Sequence, residues 1–179
     1  LKDDKLCRAK IAAVEALDKL EHQRGDIFRR AATYEQFEPA WGPPVDTAVP
    51  LRSAALVALA RAEGTSALPL LVDAMVDVAA DVRAASATAL GALGTESAGL
   101  ILRFKTRIGD AEPDVLSECL LALLAVDPKE NLAFAVGYLD SDNPTVCEAA
   151  ALALGKSRLA EALDSLKARL DQGASFGTI

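Results

Sequence analysis

Five nine-residue stretches repeat one arrangement of large, small and polar positions: AKIAAVEAL, LRSAALVAL, VRAASATAL, VLSECLLAL and VCEAAALAL, starting at Ala9, Leu51, Val82, Val115 and Val146. Each opens on an apolar or Ala residue. The fifth column reads Ala13, Ala55, Ser86, Cys119 and Ala150, the eighth Ala16, Ala58, Ala89, Ala122 and Ala153, and the ninth Leu17, Leu59, Leu90, Leu123 and Leu154. Apolar positions three and four residues apart predict helices that bury one face, and recurrence at a fixed period is the mark of a repeat architecture. The starts lie 42, 31, 33 and 31 residues apart, so the unit is near 32 residues and the first carries about ten more.

A unit of that length holds two helices. A second amphipathic stretch follows in each later unit, around Ser66–Val76, Glu96–Ile108, Lys129–Leu139 and Leu159–Leu170. Asn143 before Pro144 suits a helix start, with a capping side chain and then a residue that needs no N–H partner. Gly64, Gly94 and Gly155 are placed to cap first helices at their C-termini. Composition agrees: 51% hydrophobic and 25% charged residues exclude disorder, and only 4% aromatics in an Ala- and Leu-rich chain disfavour sheet.

The run Asp81-Val82-Arg83 leading through Ala-rich positions to Ala89-Leu90-Gly91, with Leu51-Arg52 opening another unit, resembles the HEAT-repeat family. The likeness is to the bacterial HEAT-like units also found in phycobilisome lyases, and it covers roughly residues 4–20 and 48–172. It implies an all-α fold, an α-solenoid of about five two-helix repeats in one domain over 1–179, with an insertion at 21–47 and a flexible tail at 173–179. The pattern departs at the column that carries Arg in the family, which reads Lys10, Arg52, Arg83, Leu116 and Cys147, so a ladder of arginine–carboxylate pairs is lost in the last two units.

At 100° per residue the core columns fall on one arc of each first helix. The opposite arc holds Ile11, Ala12, Glu15; Ser53, Ala54, Val57; Ala84, Ala85, Thr88; Ser117, Glu118, Leu121; and Glu148, Ala149, Leu152. This arc is expected to be open, and the resemblance implies that it lines a concave face. Val57, Leu121 and Leu152 would form an apolar stripe there, with Thr88 beside it and Glu118 and Glu148 at its edge. Residues 21–47 form the second candidate region. A short helix over Asp26–Thr33 is expected, whereas Pro39, Gly42, Pro43 and Pro44 forbid one over Glu38–Val45. Phe28, Tyr34, Phe37 and Trp41, half of the eight aromatics, lie here. They could pin the loop as an end cap, reach over the stripe, or anchor a partner.

Charge and chemistry narrow the function. A net charge of −7 and a pI near 4.8 disfavour nucleic acid. Cys7, Cys119 and Cys147 lack metal or disulfide spacing and suit buried thiols in a reducing cytoplasm. No single apolar run approaches a membrane span, and no basic leader precedes one. His22 near Glu35, Glu38 and Asp46 has no diagnostic spacing for a metal or for acid–base work, and Arg29-Arg30 reads as a solvated helix face. Phosphate-loop, nucleophile-elbow and zinc-protease motifs are absent from the sequence. The reading is a bacterial, cytoplasmic, non-enzymatic scaffold that needs no cofactor and binds a protein or peptide on the concave helix face through Val57, Thr88, Glu118, Leu121, Glu148 and Leu152, assisted by Phe37 and Trp41. A bilin or tetrapyrrole lyase-like auxiliary protein and a structural module of a longer or self-associating chain are the alternatives.

Overall fold

A computed structural model describes residues 4–174. Among them the fold is all-α and of α-solenoid class, built from successive helix pairs and interrupted by one two-stranded antiparallel hairpin. Where a single body over 1–179 is expected, the chain forms two compact units, Leu1–Leu93 and Gly94–Ile179.

The first unit contains α1 (Arg8–Lys19), α2 (Gly25–Ala32), β1 (Phe37–Glu38), β2 (Val45–Asp46), α3 (Val49–Glu63), α4 (Leu68–Ala74) and α5 (Ala80–Leu93). Its centre is α3, which packs against α1, α2 and α5. Being covered on several sides, α3 buries Leu51, Ala55, Leu56, Ala58 and Leu59 and shows no single apolar face. Residues 49–74 together are long and apolar enough to cross a membrane by composition, contrary to the sequence expectation. Gly64, in left-handed backbone at φ 57°, nevertheless ends α3 within this stretch, and Arg52 and Arg61 there are paired with aspartates.

The second unit contains α6 (Glu96–Ile108), α7 (Pro113–Val126), α8 (Pro128–Gly137), α9 (Pro144–Ser157) and α10 (Leu163–Ala174). Here α7 is central and packs on α6, α8 and α9. Leu116, Leu120 and Leu124 of α7 meet Ala135, Leu139, Ala150 and Leu154 in one buried cluster. The expected helix start at Asn143 is present, its Oδ1 accepting the Thr145 N–H at 3.0 Å, and Thr95 and Asp127, not foreseen, cap α6 and α8 by accepting the N–H three residues on.

The fifth, eighth and ninth columns are buried in the last four repeats but not in the first, and Val146 in the opening column is half-buried. Ala13 and Ala16 are exposed, Leu17 is half-buried, and Val14 is the buried residue of α1. The reason is position: α1 stands at the end of the array and packs chiefly on α3, so one flank of its core arc has no neighbour. Two other expectations are corrected. Gly155 lies inside α9, which ends at Ser157 with Arg158 in left-handed backbone, and two residues of the expected open arc, Ser117 and Ala149, are buried. Ala149 joins the α7–α9 cluster, whereas nothing in the structure explains the partnerless buried hydroxyl of Ser117. The expected tail overlaps the end of α10, and its residues 175–179 lie outside the described residues.

Truncating a central α7 side chain tests this core. Leu120 is fully buried, so Leu120→Ala is expected to cost about 2–5 kcal/mol in urea unfolding; a loss below about 1 kcal/mol would contradict its placement.

Candidate partner-binding site

A recurrent turn precedes four of the five first helices. Six residues before the column that reads Lys10, Arg52, Arg83, Leu116 and Cys147 stand Asp4, Asp46, Asp77, Asp110 and Ser141. The side chains of Asp46, Asp77, Asp110 and Ser141 each accept the N–H two residues on, from Ala48, Ala79, Glu112 and Asn143, at 2.8–3.2 Å. These are side-chain turns that substitute for a backbone turn. The column residue then returns to the turn. Lys10 Nζ lies 3.1 Å from Asp4 Oδ2. Arg52 Nη1 lies 2.5 Å from Asp46 Oδ2, and its Nε lies 3.3 Å from Asp77 Oδ2, so one buried guanidinium bridges two successive turns. Arg83 donates to the carbonyls of Asp77 and Val78.

Leu116 cannot do this, and the cation comes instead from α6, whose buried Lys105 Nζ sits 2.8 Å from Asp110 Oδ2. In the last unit the Cys147 thiol reaches the Ser141 carbonyl at 3.0 Å. The ladder is thus modified rather than abandoned in the fourth repeat.

In the first unit the same turn secures the insertion. Gln36 N–H donates to Asp46 Oδ1 at 3.1 Å, Thr47 N–H donates to the Gln36 carbonyl at 2.8 Å, and Arg52 also donates to the Tyr34 carbonyl. Glu38 accepts the Leu6 N–H at 2.6 Å and the Gln36 amide at 2.8 Å. Residues 34–47 therefore form an ordered tongue pinned by polar bonds, with β1 and β2 at its waist. Its apolar side chains are left outward: Trp41 is fully exposed at 110%, Phe37 at 62% and Val45 at 53%. The expectation that aromatics pin this loop fails for Phe37 and Trp41, because the anchoring is electrostatic; neither covers another face. Of the four aromatics only Phe28, on α2, is in the core. At Gly25, on α2, a Cβ would run into the Glu63 carboxylate. That carboxylate is held by Arg29, which is therefore an ion-pairing residue rather than part of a solvated face.

On the predicted helix face, Thr88, Glu148 and Leu152 are exposed, while Val57, Glu118 and Leu121 are half-buried. Glu118 and Leu121 lie on α7 and Glu148 and Leu152 on α9, and these two helices pack side by side. Lys156 of α9 joins Glu118 at 2.7 Å, so this charged edge is partly neutralised. Leu121 packs on the buried cluster beneath. Val57 and Thr88 belong to the first unit. A separate cleft of about 330 Å³, missed in the sequence, opens between α1 and α2 over Leu51. Ala13, Leu17, Ile27 and Ala31 line it, with Lys10, Arg30 and Tyr34 also on its wall. The unburied first-repeat columns, Ala13 and Leu17, were its signal.

Among the described residues no group of three His, Cys, Asp or Glu side chains is placed to hold a metal. The three cysteines are buried, and burial pushes the Cys119 thiol up to about 12. Asp4, Glu38 and Asp46 are all held below the ordinary carboxylate range: Asp4 by the Ala9 N–H, Glu38 by the Leu6 N–H, and Asp46 because Arg52 and two backbone N–H donors outweigh the effect of its burial.

Residues 101–176, less than half of the chain, match the family model for HEAT repeats, and the resemblance read from the sequence is shown over that stretch. The structure is similar to a chain in the complex of CpcE and CpcF of phycocyanin lyase from Nostoc sp. PCC7120, with a TM-score of 0.54 and 21% identity over 83% of the present chain. The match spans 59% of the length of that protein, and at such identity the likeness is one of fold. No curated protein matches.

Carboxylates held below their ordinary values stabilise the folded state above those values and cease to do so as pH falls through the folded ones. The tongue is therefore expected to loosen only below about pH 4. The Gln36 and Ala48 amide resonances, both donors to Asp46, should move together there; movement near pH 6 would contradict the assignment. Arg52→Met, which strands two carboxylates around a buried site, is expected to cost about 3–5 kcal/mol in unfolding free energy.

Proposed function

We propose that the protein is a non-enzymatic scaffold that binds another protein, with the tongue as its principal anchor; the open α7–α9 face around Leu152 is a separate candidate surface. The observation that carries this reading is the contrast within the tongue: its backbone is fixed by half-buried polar bonds while Trp41, Phe37 and Val45 stand in solvent. Exposing a large aromatic on a fixed backbone lowers the entropy cost of binding, and Trp is the residue type most enriched among binding hot spots. The acidic net charge argues for a protein rather than a nucleic-acid partner. Buried thiols suit a reducing cytoplasm, where this reading places it. That HEAT-type scaffolds assemble with other proteins is consistent with the similar structure being a complex of two proteins.

The cleft between α1 and α2 supports a second reading, an auxiliary protein for a bilin-like pigment, through its apolar wall and its Lys10, Arg30 and Tyr34. At about 330 Å³ it is near the lower limit for ligand sites, which favours the first reading. A bilin added to the purified protein would have to show a saturable absorbance shift for the second to stand.

The first reading is tested by affinity capture from a bacterial lysate with mass spectrometry, comparing the wild type with Trp41→Ala. A specific partner is expected to be retained by the wild type and lost by the variant, with affinity reduced about 30-fold or more, while the melting temperature is unchanged because Trp41 packs on nothing. Equal capture by both proteins would remove the tongue from the interface.

A further inference from the structure

One span of the ladder has lost both its column cation and its far carboxylate, and a cleft lies there. In the first unit Arg52 fills the span between the turns at Asp46 and Asp77. The equivalent span in the second unit runs from the turn at Asp110 to the turn at Ser141, and its column residue is Leu116. Ser141 itself stands where Asp4, Asp46, Asp77 and Asp110 carry carboxylates in the other repeats. The cleft measures about 680 Å³, and Asp110, Leu116 and Ser141 all line it. That volume is within the range of small-molecule sites. Ala133 and Phe134 of α8 and Val146 of α9 continue its apolar wall.

The polar groups of this cleft are engaged as acceptors and have capacity left as donors. The Asp110 carboxylate is held by Lys105 at 2.8 Å and accepts the Glu112 N–H of its own turn at 3.0 Å. The Ser141 carbonyl accepts the Cys147 thiol at 3.0 Å, and its Oγ accepts the Asn143 N–H at 3.2 Å. The donors are Arg107, Tyr138 and Ser141. Arg107 is exposed and stands over the Phe134 ring at 5.5 Å; no carboxylate or carbonyl among the described residues bonds its guanidinium. The Tyr138 hydroxyl reaches the Thr106 carbonyl only at 3.4 Å, and burial raises its pKa, so it keeps its proton. The Ser141 hydroxyl proton has no acceptor among the described residues. A full positive charge and two hydroxyl donors beside an apolar wall, with the one carboxylate already neutralised, suit an anion attached to an apolar body.

We propose that this cleft binds a small aromatic carboxylic acid, its carboxylate on Arg107 with the Tyr138 and Ser141 hydroxyls donating, and its ring against Leu116, Phe134 and Val146. The carboxylate supplies the anion that the ladder lacks at position 141, and a planar guanidinium can take it through two parallel N–H bonds. Phe134 and Tyr138 meet edge to face with centroids 5.2 Å apart, so they offer an aromatic ligand both an edge and a face. Every residue of the site lies in the second unit. The tongue takes no part, so this site and the protein binding proposed above succeed or fail separately.

Titration of the isotope-labelled full chain with naphthylacetate, and with the uncharged naphthylacetamide, tests it by amide resonance shifts. The acid is expected to move the Arg107, Ser141 and Val146 amides saturably and to bind about ten-fold more tightly than the amide. Arg107→Gln alters an exposed position and should bring the acid down to the affinity of the amide while the melting temperature stays unchanged. Ala133→Trp, also at an exposed position, should fill the cleft and abolish binding of both. The absence of a saturable shift up to about 10 mM acid would overturn the proposal. So would equal binding of acid and amide, a preference for the acid that survives in Arg107→Gln, binding that survives in Ala133→Trp, or acetate binding as tightly as naphthylacetate, which would leave an anion site with no place for the ring.

Discussion

The turn that precedes four of the five first helices is the constraint on which the rest of the structure depends. A short polar side chain bends the backbone by accepting the N–H two residues ahead, and in four of the five repeats that acceptor sits six residues before the same column. An aspartate used in this way brings a charge into a half-buried position, which is costly unless a cation meets it. Arg52 meets two such aspartates at once, and Lys105 meets a third. Within the first unit a single guanidinium therefore ties the turn at Asp46 to the turn at Asp77. A planar group with fixed donor directions suits that task better than an ammonium on a flexible stem.

Much of the scaffold was legible because burial acts on every repeat alike. The small fifth column and the leucine ninth column are dictated by helix–helix contact, and they correctly placed α3, α5, α7 and α9. Their failure in α1 has a physical cause, since periodicity records what a repeat is built to bury, not whether a neighbour is there to bury it. The ladder was read from the cation column alone. With Leu116 in that column it looked broken, because Lys105 reaches Asp110 from a different helix and a column-by-column reading sees only residues at one register. The aspartates six residues upstream were visible in the sequence and would have shown the turn to be the constant feature and the cation the variable one.

The tongue was legible in its extent but not in its orientation. Proline and glycine excluded a helix over Glu38–Val45, and a hairpin waist is what the structure contains there. The usual inference from four aromatics is a loop fastened by burying them, and only Phe28 obeys it. The polar residues between them, Gln36, Glu38, Asp46 and Thr47, take over the fastening because Asp46 is already committed to the turn before α3. Once that aspartate and Arg52 fix the base, the hairpin needs little apolar burial to stay in place, and its hydrophobic side chains are released for another use.

The same economy explains where apolar surface is found outside the core. In the first unit it sits on an insertion whose backbone is tied to the ladder, and in the second it sits on α6 and α10. Lys105 belongs to the buried side of α6 and is fixed to Asp110, while Arg103 is fixed over Phe134. With Ala98, Leu102 and Lys105 all on the buried side of α6, the four-residue series Leu100, Phe104 and Ile108 points outward. The exposed strip on α6 and the ion pair that repairs the ladder thus occupy opposite faces of one helix, so the fourth repeat neutralises its turn without drawing on that strip.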